Sequence, residues 1–170
     1  MWRFNARVTE AGFSLIEMVV VVLVVGILSA IAAPGFLGMY SRTRVNQSLV
    51  EIQGALQEAQ RQAMRTSTPC NLSLNTSTSA ITGACLVTGN RTLSRVAIRS
   101  SATAMRFNIK GAVSNTDGSA MTQPVTVVIS SPTTSLQRCL VMSVPLGLIR
   151  TGVYSGTGTL EASCVPSNGS

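Results

Sequence analysis

Apolar and polar residues follow two different patterns within the first 65 residues. Residues 18–33 are apolar or small and include no charged side chain. From residue 36 onward, apolar residues recur in steps of three and four, the spacing of one face of an α-helix. The members of this stripe are Val45, Leu49, Ile52, Leu56, Ala59 and Ala63. The pattern predicts a helix over residues 13–65, with a hydrophobic half (13–35) and an amphipathic half (36–65).

Pro34 and Gly35 are the last two residues of the hydrophobic half. Proline lacks a backbone donor and clashes with the preceding helical turn, so we expect these residues to interrupt the helix, either as a simple kink or as a segment that can loosen. The amphipathic half is expected to pack its apolar face against a sheet.

Residues 66–170 contain short segments in which apolar and polar positions alternate, as they do in half-buried β-strands. The alternating apolar residues are Val96 and Ile98 in one segment and Met105, Phe107 and Ile109 in another. Further strands are predicted at 125–130 and 138–144, and turns at Gly111, 115–118, Pro132 and Gly147. The predicted fold is therefore α+β, with an antiparallel sheet in a head domain laid over the amphipathic half of the helix.

The chain has a net charge of +7, from 13 Lys and Arg against 6 Asp and Glu. After Thr66, the chain has seven basic residues and two acidic ones, Asp117 and Glu161. A basic excess attracts polyanions or anionic lipid, and it also keeps a protein soluble.

The four cysteines are Cys70, Cys85, Cys139 and Cys164; no pair has C-x-x-C spacing, and the chain has no histidine. No metal site is therefore predicted. An even number of cysteines after a membrane-targeting segment indicates two disulfides in an oxidising compartment. Of the three pairings that are open, we favour Cys70 with Cys85 and Cys139 with Cys164, because both close local loops. Each would stabilise the fold by about 3 kcal/mol through the chain entropy.

Residues 1–33 allow three interpretations. A secretory signal peptide would use the basic Arg3 and Arg7, the apolar run, and a small-residue cleavage site at 30–32. A plain membrane anchor would be short if it comprised residues 18–33 alone. The third interpretation starts from an acidic residue that the other two leave unexplained.

Glu17 is that residue, because it lies within the apolar segment that begins at Phe13. A carboxylate in such a segment costs about 2.5–3.5 kcal/mol on insertion into lipid, so a cationic partner is expected. If the chain were cut between Gly12 and Phe13, a new α-amine would lie four residues before Glu17. Four residues make one helical turn, which places the two groups on the same face. In a packed bundle, the amine of a neighbouring copy would serve equally well.

Residues 12–17, Gly-Phe-Ser-Leu-Ile-Glu, with the apolar helix that follows, resemble the processing site of type IV pilins and type II secretion pseudopilins. The resemblance implies that a prepilin peptidase cuts after Gly12 on the cytoplasmic side and methylates the amine of Phe13. It further implies that Glu17 guides the subunit into register in a growing filament, with other pilins or pseudopilins as partners.

The same resemblance makes residues 1–12 a leader, whose Arg3 and Arg7 agree with retention of that end inside the cell. It implies a single pass through inner-membrane lipid, with residues 66–170 as a β-rich head in the periplasm. The subunit would then enter a pilus or pseudopilus.

Later segments resemble the FimT/GspH-type minor pseudopilins. These segments are residues 58–65 with the strand around Cys70, and residues 138–143 with 147–152. The chain departs from the Gly-Arg-x-Arg pattern that some DNA-binding FimT proteins carry near their end. Here Leu148 replaces the first arginine, and Arg150 remains.

Two function hypotheses follow. The first is structural: a minor subunit that nucleates or caps a type IV pilus or a type II secretion pseudopilus. The second is a receptor in DNA uptake, which would contact the phosphate backbone and be largely blind to base sequence.

The candidate DNA-binding residues are Arg95, Arg99, Arg106, Lys110, Arg138 and Arg150, the first four expected on the polar faces of two strands. Phe107 and Tyr154 are the aromatic residues of the head, so the head offers little stacking surface for single strands.

No catalytic residue and no cofactor are predicted. Without histidine, and with Asp117 and Glu161 as the carboxylates of the head, there is no acid–base pair to assign. The single lysine, Lys110, is followed by glycine, which excludes a phosphate-binding P-loop.

Overall fold

A computed structural model describes residues 12–166 of the chain, without the side chains of residues 33 and 34. The predicted leader, with Arg3 and Arg7, lies outside the described residues except for Gly12. The chain divides into two compact units, of which the first ends at Leu37 and the second begins at Gly38.

One helix, α1, comprises Leu15–Thr66. Its end agrees with the sequence prediction, whereas its start falls two residues later than predicted. The helix continues through Pro34 and Gly35, so the interruption expected at these residues does not end it. A proline inside a helix removes one backbone hydrogen bond, and that loss is local when the turns on both sides are otherwise complete.

The rest of the described chain forms ten strands and one short 3₁₀ helix. The first six strands are β1 (Cys70–Asn75), β2 (Ala80–Thr82), β3 (Arg91–Thr92), β4 (Ala97–Ser100), β5 (Ala104–Phe107) and β6 (Val113–Ser114). The last four are β7 (Val125–Ser131), β8 (Thr134–Met142), β9 (Ile149–Tyr154) and β10 (Cys164–Pro166), with the 3₁₀ helix at Glu161–Ser163. The predicted turn glycines Gly111, Gly118 and Gly147 all have positive φ, as tight turns between such short strands require.

These strands form two antiparallel sheets, whereas the sequence predicted one. The first sheet has the order β3-β2-β1-β5-β6 and the second the order β10-β9-β8-β7-β4. The two strands predicted from alternation, β4 and β5, pair in different sheets: β4 with β7, and β5 with β1. Alternation identifies a half-buried strand but not its partner, so it cannot separate one sheet from two.

The main core lies between α1 and both sheets. All six residues of the predicted helical stripe are buried, which confirms the amphipathic half of the helix. They pack with residues from the inner faces of the strands, among them Leu72 and Phe107 of the first sheet and Ile129 and Leu140 of the second. Ile109, predicted on the apolar side of a strand, instead lies in a turn and is 50% exposed.

A second, smaller core covers the opposite face of the second sheet. It comprises Val128, Cys139, Val141, Tyr154 and Cys164. The segment after β9 folds back over this face, and the backbone N–H of Leu160 donates to the hydroxyl of Tyr154 at 3.1 Å. This cover explains why β7 is buried on both faces rather than alternating.

Two disulfides link the cysteines in the pairing favoured from the sequence, Cys70 with Cys85 and Cys139 with Cys164. The first ties the start of β1 to the loop after β2. The second joins β8 to the edge strand β10 across β9, and both of its cysteines belong to the second core. A loop of 25 residues closed in this way favours the folded state by between about 3 and 5 kcal/mol in the chain-entropy account.

Gly152 allows the C-terminal strand to approach β9. A Cβ added at this position would overlap the carbonyl oxygen of Val165, so no other residue fits without moving β10. Gly152 also stands opposite Cys139 in the β8–β9 register, which places it beside the second disulfide.

We predict that Gly152→Ala separates β10 from β9 and lowers the free energy of unfolding by about 1–3 kcal/mol, the usual cost of forcing atoms into a packed site. Gly158→Ala is the matched control, because its added Cβ would make only an ordinary contact of 3.9 Å with the Tyr154 hydroxyl. Thermal unfolding and hydrogen exchange at residues 164–166 measure the effect. Equal stability of the two variants would contradict this account of Gly152.

Candidate functional site

The start of α1 is capped by Ser14. Its Oγ accepts a hydrogen bond from the backbone N–H of Glu17 at 3.3 Å, and its carbonyl oxygen accepts from the N–H groups of Glu17 and Met18. Serine at the N-cap with glutamate three residues later is the spacing of a capping box. The bond to Ser14 Oγ is the one that the N-cap side chain makes in that motif. Ser14 therefore fixes where the helix starts and which turn carries Glu17.

Gly12 and Phe13 lie before the helix, and Phe13 is 75% exposed. The peptide bond predicted to be cut is thus in a non-helical, exposed segment, as a protease substrate requires. Because α1 begins at Leu15, Phe13 stands outside the hydrogen-bonded helix in the uncut chain. α1 therefore does not by itself place Phe13 one helical turn before Glu17 on the same face. Glu17 is exposed within the first turn of the helix.

The segment Leu15–Ala32 is long and apolar enough to span a membrane, and none of it is buried within the described structure. Its valine, leucine and isoleucine side chains are between about half and four-fifths exposed. An apolar surface of this extent fits a segment that is covered by lipid or by other apolar helices.

Two of the six candidate DNA-binding residues do not lie on strands. Arg95 belongs to the turn before β4 and has a φ of 64°, and Lys110 belongs to the turn after β5. The prediction that both project from strand faces is wrong, because the strands are shorter than the alternating pattern suggested. Both side chains are exposed.

The other four candidates have protein neighbours. Arg99 donates to the side-chain oxygen of Gln137 at 2.6 Å, and Arg138 donates to that of Asn46 at 2.8 Å. Arg150 forms an ion pair with Glu161 at 2.6 Å. Arg106 lies in the first sheet, while the other three lie in the second. The structure does not bring the six together in one row along a single sheet face.

Arg106 is close to an acidic turn. Hydrogen bonds from the side chain and backbone of Ser119 lower the pKa of Asp117, and the nearby charge of Arg106 lowers it further. Asp117 is therefore ionised near neutral pH and offsets part of the positive charge of Arg106.

An ion pair and several hydrogen bonds join α1 to the loop after β2. The Glu58 carboxylate accepts hydrogen bonds from the backbone N–H and the hydroxyl of Thr88, both at 2.8 Å, and from Arg91 at 2.6 Å. Arg91 also donates to the backbone carbonyl of Glu51 at 2.8 Å. Burial raises the pKa of Glu58, but the bonds from Thr88 and the charge of Arg91 outweigh it, so the pKa is lowered overall.

Sequence reasoning missed both Ser14 and the Glu58 network. The Ser-x-x-Glu spacing before an apolar run was a sufficient signal for the cap at Ser14. No local signal existed for Glu58, Thr88 and Arg91, because residues 30 or more positions apart form the contacts.

The N-terminal segment and the fold both have known relatives. Residues 7–33 match the family described as the prokaryotic N-terminal methylation motif. The type IV major pilin protein PilA of Myxococcus xanthus is 41% identical over 59 residues, which are 35% of this chain and 26% of that protein. The match thus spans about a quarter of the length of this curated relative.

The minor pseudopilin EpsH from the type 2 secretion system of Vibrio cholerae has a similar fold. The TM-score is 0.51 at 14% identity, and the similarity covers 65% of this chain and 97% of that one. At this identity the likeness concerns the fold, and it confirms the α+β, pilin-like architecture. The motif, the pilin similarity and the fold together support the type IV pilin and pseudopilin superfamily for this chain, as residues 12–17 predicted. Proteins of this superfamily are structural rather than catalytic.

We predict that Glu58→Gln lowers the free energy of unfolding by about 1–2 kcal/mol, because it removes charge-assisted bonds from a largely covered site. Since folding lowers the pKa of Glu58, its stabilising effect is complete above the ordinary value of 4.5 and is lost as the pH falls through the lower folded value. Denaturant unfolding from pH 7 to pH 3 tests this.

Glu51→Gln is the matched control for Glu58→Gln, because Glu51 is an exposed residue of the same helix and contributes its backbone carbonyl to the network. The control is expected to keep the stability and acid dependence of the native protein. A Glu58→Gln variant with the same pH profile as the native chain would exclude the network as a source of stability.

Proposed function

We propose that this chain is a minor pilin or pseudopilin, a structural subunit that is cut between Gly12 and Phe13 by a prepilin peptidase and methylated on the new amine. The observation that carries the proposal is the combination of residues 12–17 with an exposed apolar helix, Leu15–Ala32, that has no cover in the described structure. The match to the methylation motif over residues 7–33 supports this assignment.

The surroundings of Gly12 suit a cleavage site. A Cβ added there would meet nothing within 4 Å, so the requirement for glycine does not come from the fold of the described chain. Several glycines of α1 are equally open, so it is the motif of residues 12–17 that singles out Gly12: a peptidase active site that approaches the backbone closely would require glycine there. Processing therefore accounts for Gly12 where packing does not.

Glu17 is proposed to hold the subunit in register. Its carboxylate is stable in an apolar surrounding when it faces a cation, and cleavage supplies one at Phe13. Since Phe13 lies outside the helix that carries Glu17, the amine of a neighbouring subunit is the better partner. One such pair for each subunit would fix the axial position of every helix in a filament.

The localisation follows from the same elements. The exposed apolar helix and the motif fit a protein anchored in the inner membrane. We propose that residues 66–170 lie in the periplasm, where an oxidising environment maintains the two disulfides of the head. From there the subunit would enter a type IV pilus or a type II secretion pseudopilus, as a minor component with the head type of the FimT/GspH group.

We predict that Gly12→Val blocks processing, because a β-branched side chain excludes the peptide bond from a site built around glycine. Gly26→Val is the matched control: it makes the same change in the apolar segment that follows Gly12, where an added Cβ also meets nothing. The intact mass of protein extracted from membranes is expected to include the leader for Gly12→Val and one methyl group without the leader for Gly26→Val. A mature mass for Gly12→Val, or a cut near residue 32, would refute the proposal.

We predict that Glu17→Gln leaves cleavage unchanged but reduces incorporation into filaments at least about tenfold, since a lost buried ion pair is worth several kcal/mol. Glu51→Gln, which removes the same charge from an exposed position of the same helix, is expected to assemble normally. The amount of each variant in the sheared filament fraction, relative to the membrane fraction, measures the effect. Normal assembly of Glu17→Gln would show that the carboxylate does not set the register.

A further inference from the structure

Three arginines of the head lie at the end where its helix emerges from the apolar segment. Arg42 and Arg44 belong to α1, and Arg138 of β8 donates from Nε to the side-chain oxygen of Asn46 at 2.8 Å. Asn46 follows Arg42 by four residues, so Arg138 is bound to the helical face that carries Arg42. We call Arg42, Arg44 and Arg138 the basic end of the head.

The β7–β8 hairpin reaches the same end. The hydroxyl of Thr133 in the hairpin turn is 2.6 Å from that of Ser41 and 3.1 Å from that of Ser131. These contacts fix the hairpin against the helix one residue before Arg42. The basic end is therefore a defined structural part of the head, because these contacts join a helix and a hairpin that are distant in sequence.

Two of the three guanidinium groups of this end, those of Arg44 and Arg138, are oriented by neutral acceptors. Nε and Nη2 of Arg44 both donate to the hydroxyl of Tyr40, at 2.9 and 2.6 Å, and the Arg44 guanidinium carbon lies 5.0 Å from the centre of the Tyr40 ring. Arg138 is held by the Asn46 amide. A hydroxyl and an amide restrain a guanidinium without neutralising it, so these positive charges remain available to an anion.

The basic end takes part in no ion pair within residues 12–166. The ion pairs there are Arg91 with Glu58 and Arg150 with Glu161. The remaining acid of the amphipathic half, Glu51, follows Arg44 by seven residues, or about 10 Å along a helix. Three positive charges without a described acidic partner favour a ligand that carries its own negative charge.

The basic end also follows closely, in sequence, the exposed apolar residues of α1. Exposed apolar side chains continue beyond Ala32 at Phe36, Leu37 and Met39. Arg42 follows Met39 by three residues, about 5 Å of helix. The headgroup layer on each side of a bilayer is of similar thickness, and the surface potential of anionic lipid extends about one Debye length of 8–10 Å.

We propose that Arg42, Arg44 and Arg138 bind the phosphate groups of anionic phospholipids at the membrane surface. The proposal rests on the membrane anchoring proposed above and adds a ligand to it. Guanidinium groups bind phosphate oxygens in pairs, and Tyr40 places an aromatic ring at the interface, where such rings are favoured. The site holds the head against the membrane until the subunit is withdrawn into a filament.

The test uses the full chain in nanodiscs that contain equal amounts of phosphatidylglycerol and phosphatidylcholine. Native mass spectrometry counts the lipids of each kind that remain on the released protein. The variant carries Arg42→Gln, Arg44→Gln and Arg138→Gln. The control carries Arg61→Gln, Arg65→Gln and Arg95→Gln, an equal loss of charge at exposed positions elsewhere in the head.

We expect the native chain and the control to retain phosphatidylglycerol preferentially. The variant is expected to lose this preference at least about tenfold, given about fivefold for each arginine close to an anionic surface. Arg42→Gln alone, at an exposed position, is expected to lose about fivefold and serves if the triple variant does not fold.

Several results would overturn the proposal. One is a native chain without a preference for phosphatidylglycerol, and another is a variant that keeps this preference unchanged. A third is displacement of the lipid by millimolar inorganic phosphate, which would identify a free anion as the ligand. Dimers that disappear in the variant while lipid retention stays constant would identify a second copy as the occupant. A chain that does not enter the nanodiscs at all would contradict the proposed membrane anchoring, whereas a chain that enters them without a lipid preference would contradict the lipid site alone.

Discussion

In the function proposed for this protein, assembly depends on one carboxylate within an apolar helix. Glu17 is exposed in the first turn of α1, and the apolar side chains that follow it have no cover in the described structure. Such a helix is stable in lipid or against other helices, but Glu17 then requires a cation. Ser14 caps the helix so that Phe13 remains outside it, and the amine that the proposed cleavage would produce is then free to reach another subunit. In this proposal, anchoring, processing and register all depend on the same few residues.

The second unit of the chain, from Gly38 onward, has a core of its own. The amphipathic half of α1 packs in one core with strands of both sheets, and the far face of the second sheet has a separate core closed by the Cys139–Cys164 disulfide. The Cys70–Cys85 disulfide and the Glu58 network hold the loop after β2 to the rest of the head. These interactions lie within the second unit, so they do not depend on the lipid or filament environment proposed for the N-terminal helix.

The sequence predicted those features that depend on neighbours in the chain, such as the helical stripe from Val45 to Ala63, the turn glycines and the N-terminal motif. It did not predict features that depend on distant partners. The split into two sheets was missed because alternation does not name a partner strand, and Arg95 and Lys110 were misplaced because the strands end early. Pro34 was given too much weight, since the loss of one hydrogen bond does not end a helix of 52 residues.

The pairing of Glu17 with a cleaved amine is tested most directly by solid-state NMR on assembled material made from two pools of subunits. One pool carries ¹⁵N in the Phe13 amine, and the other carries ¹³C in the Glu17 carboxylate. The account predicts magnetisation transfer between the pools, which requires the two groups to be within about 4 Å, the distance of an ion pair. A free, methylated Phe13 amine that shows no transfer to Glu17 of another subunit would contradict it.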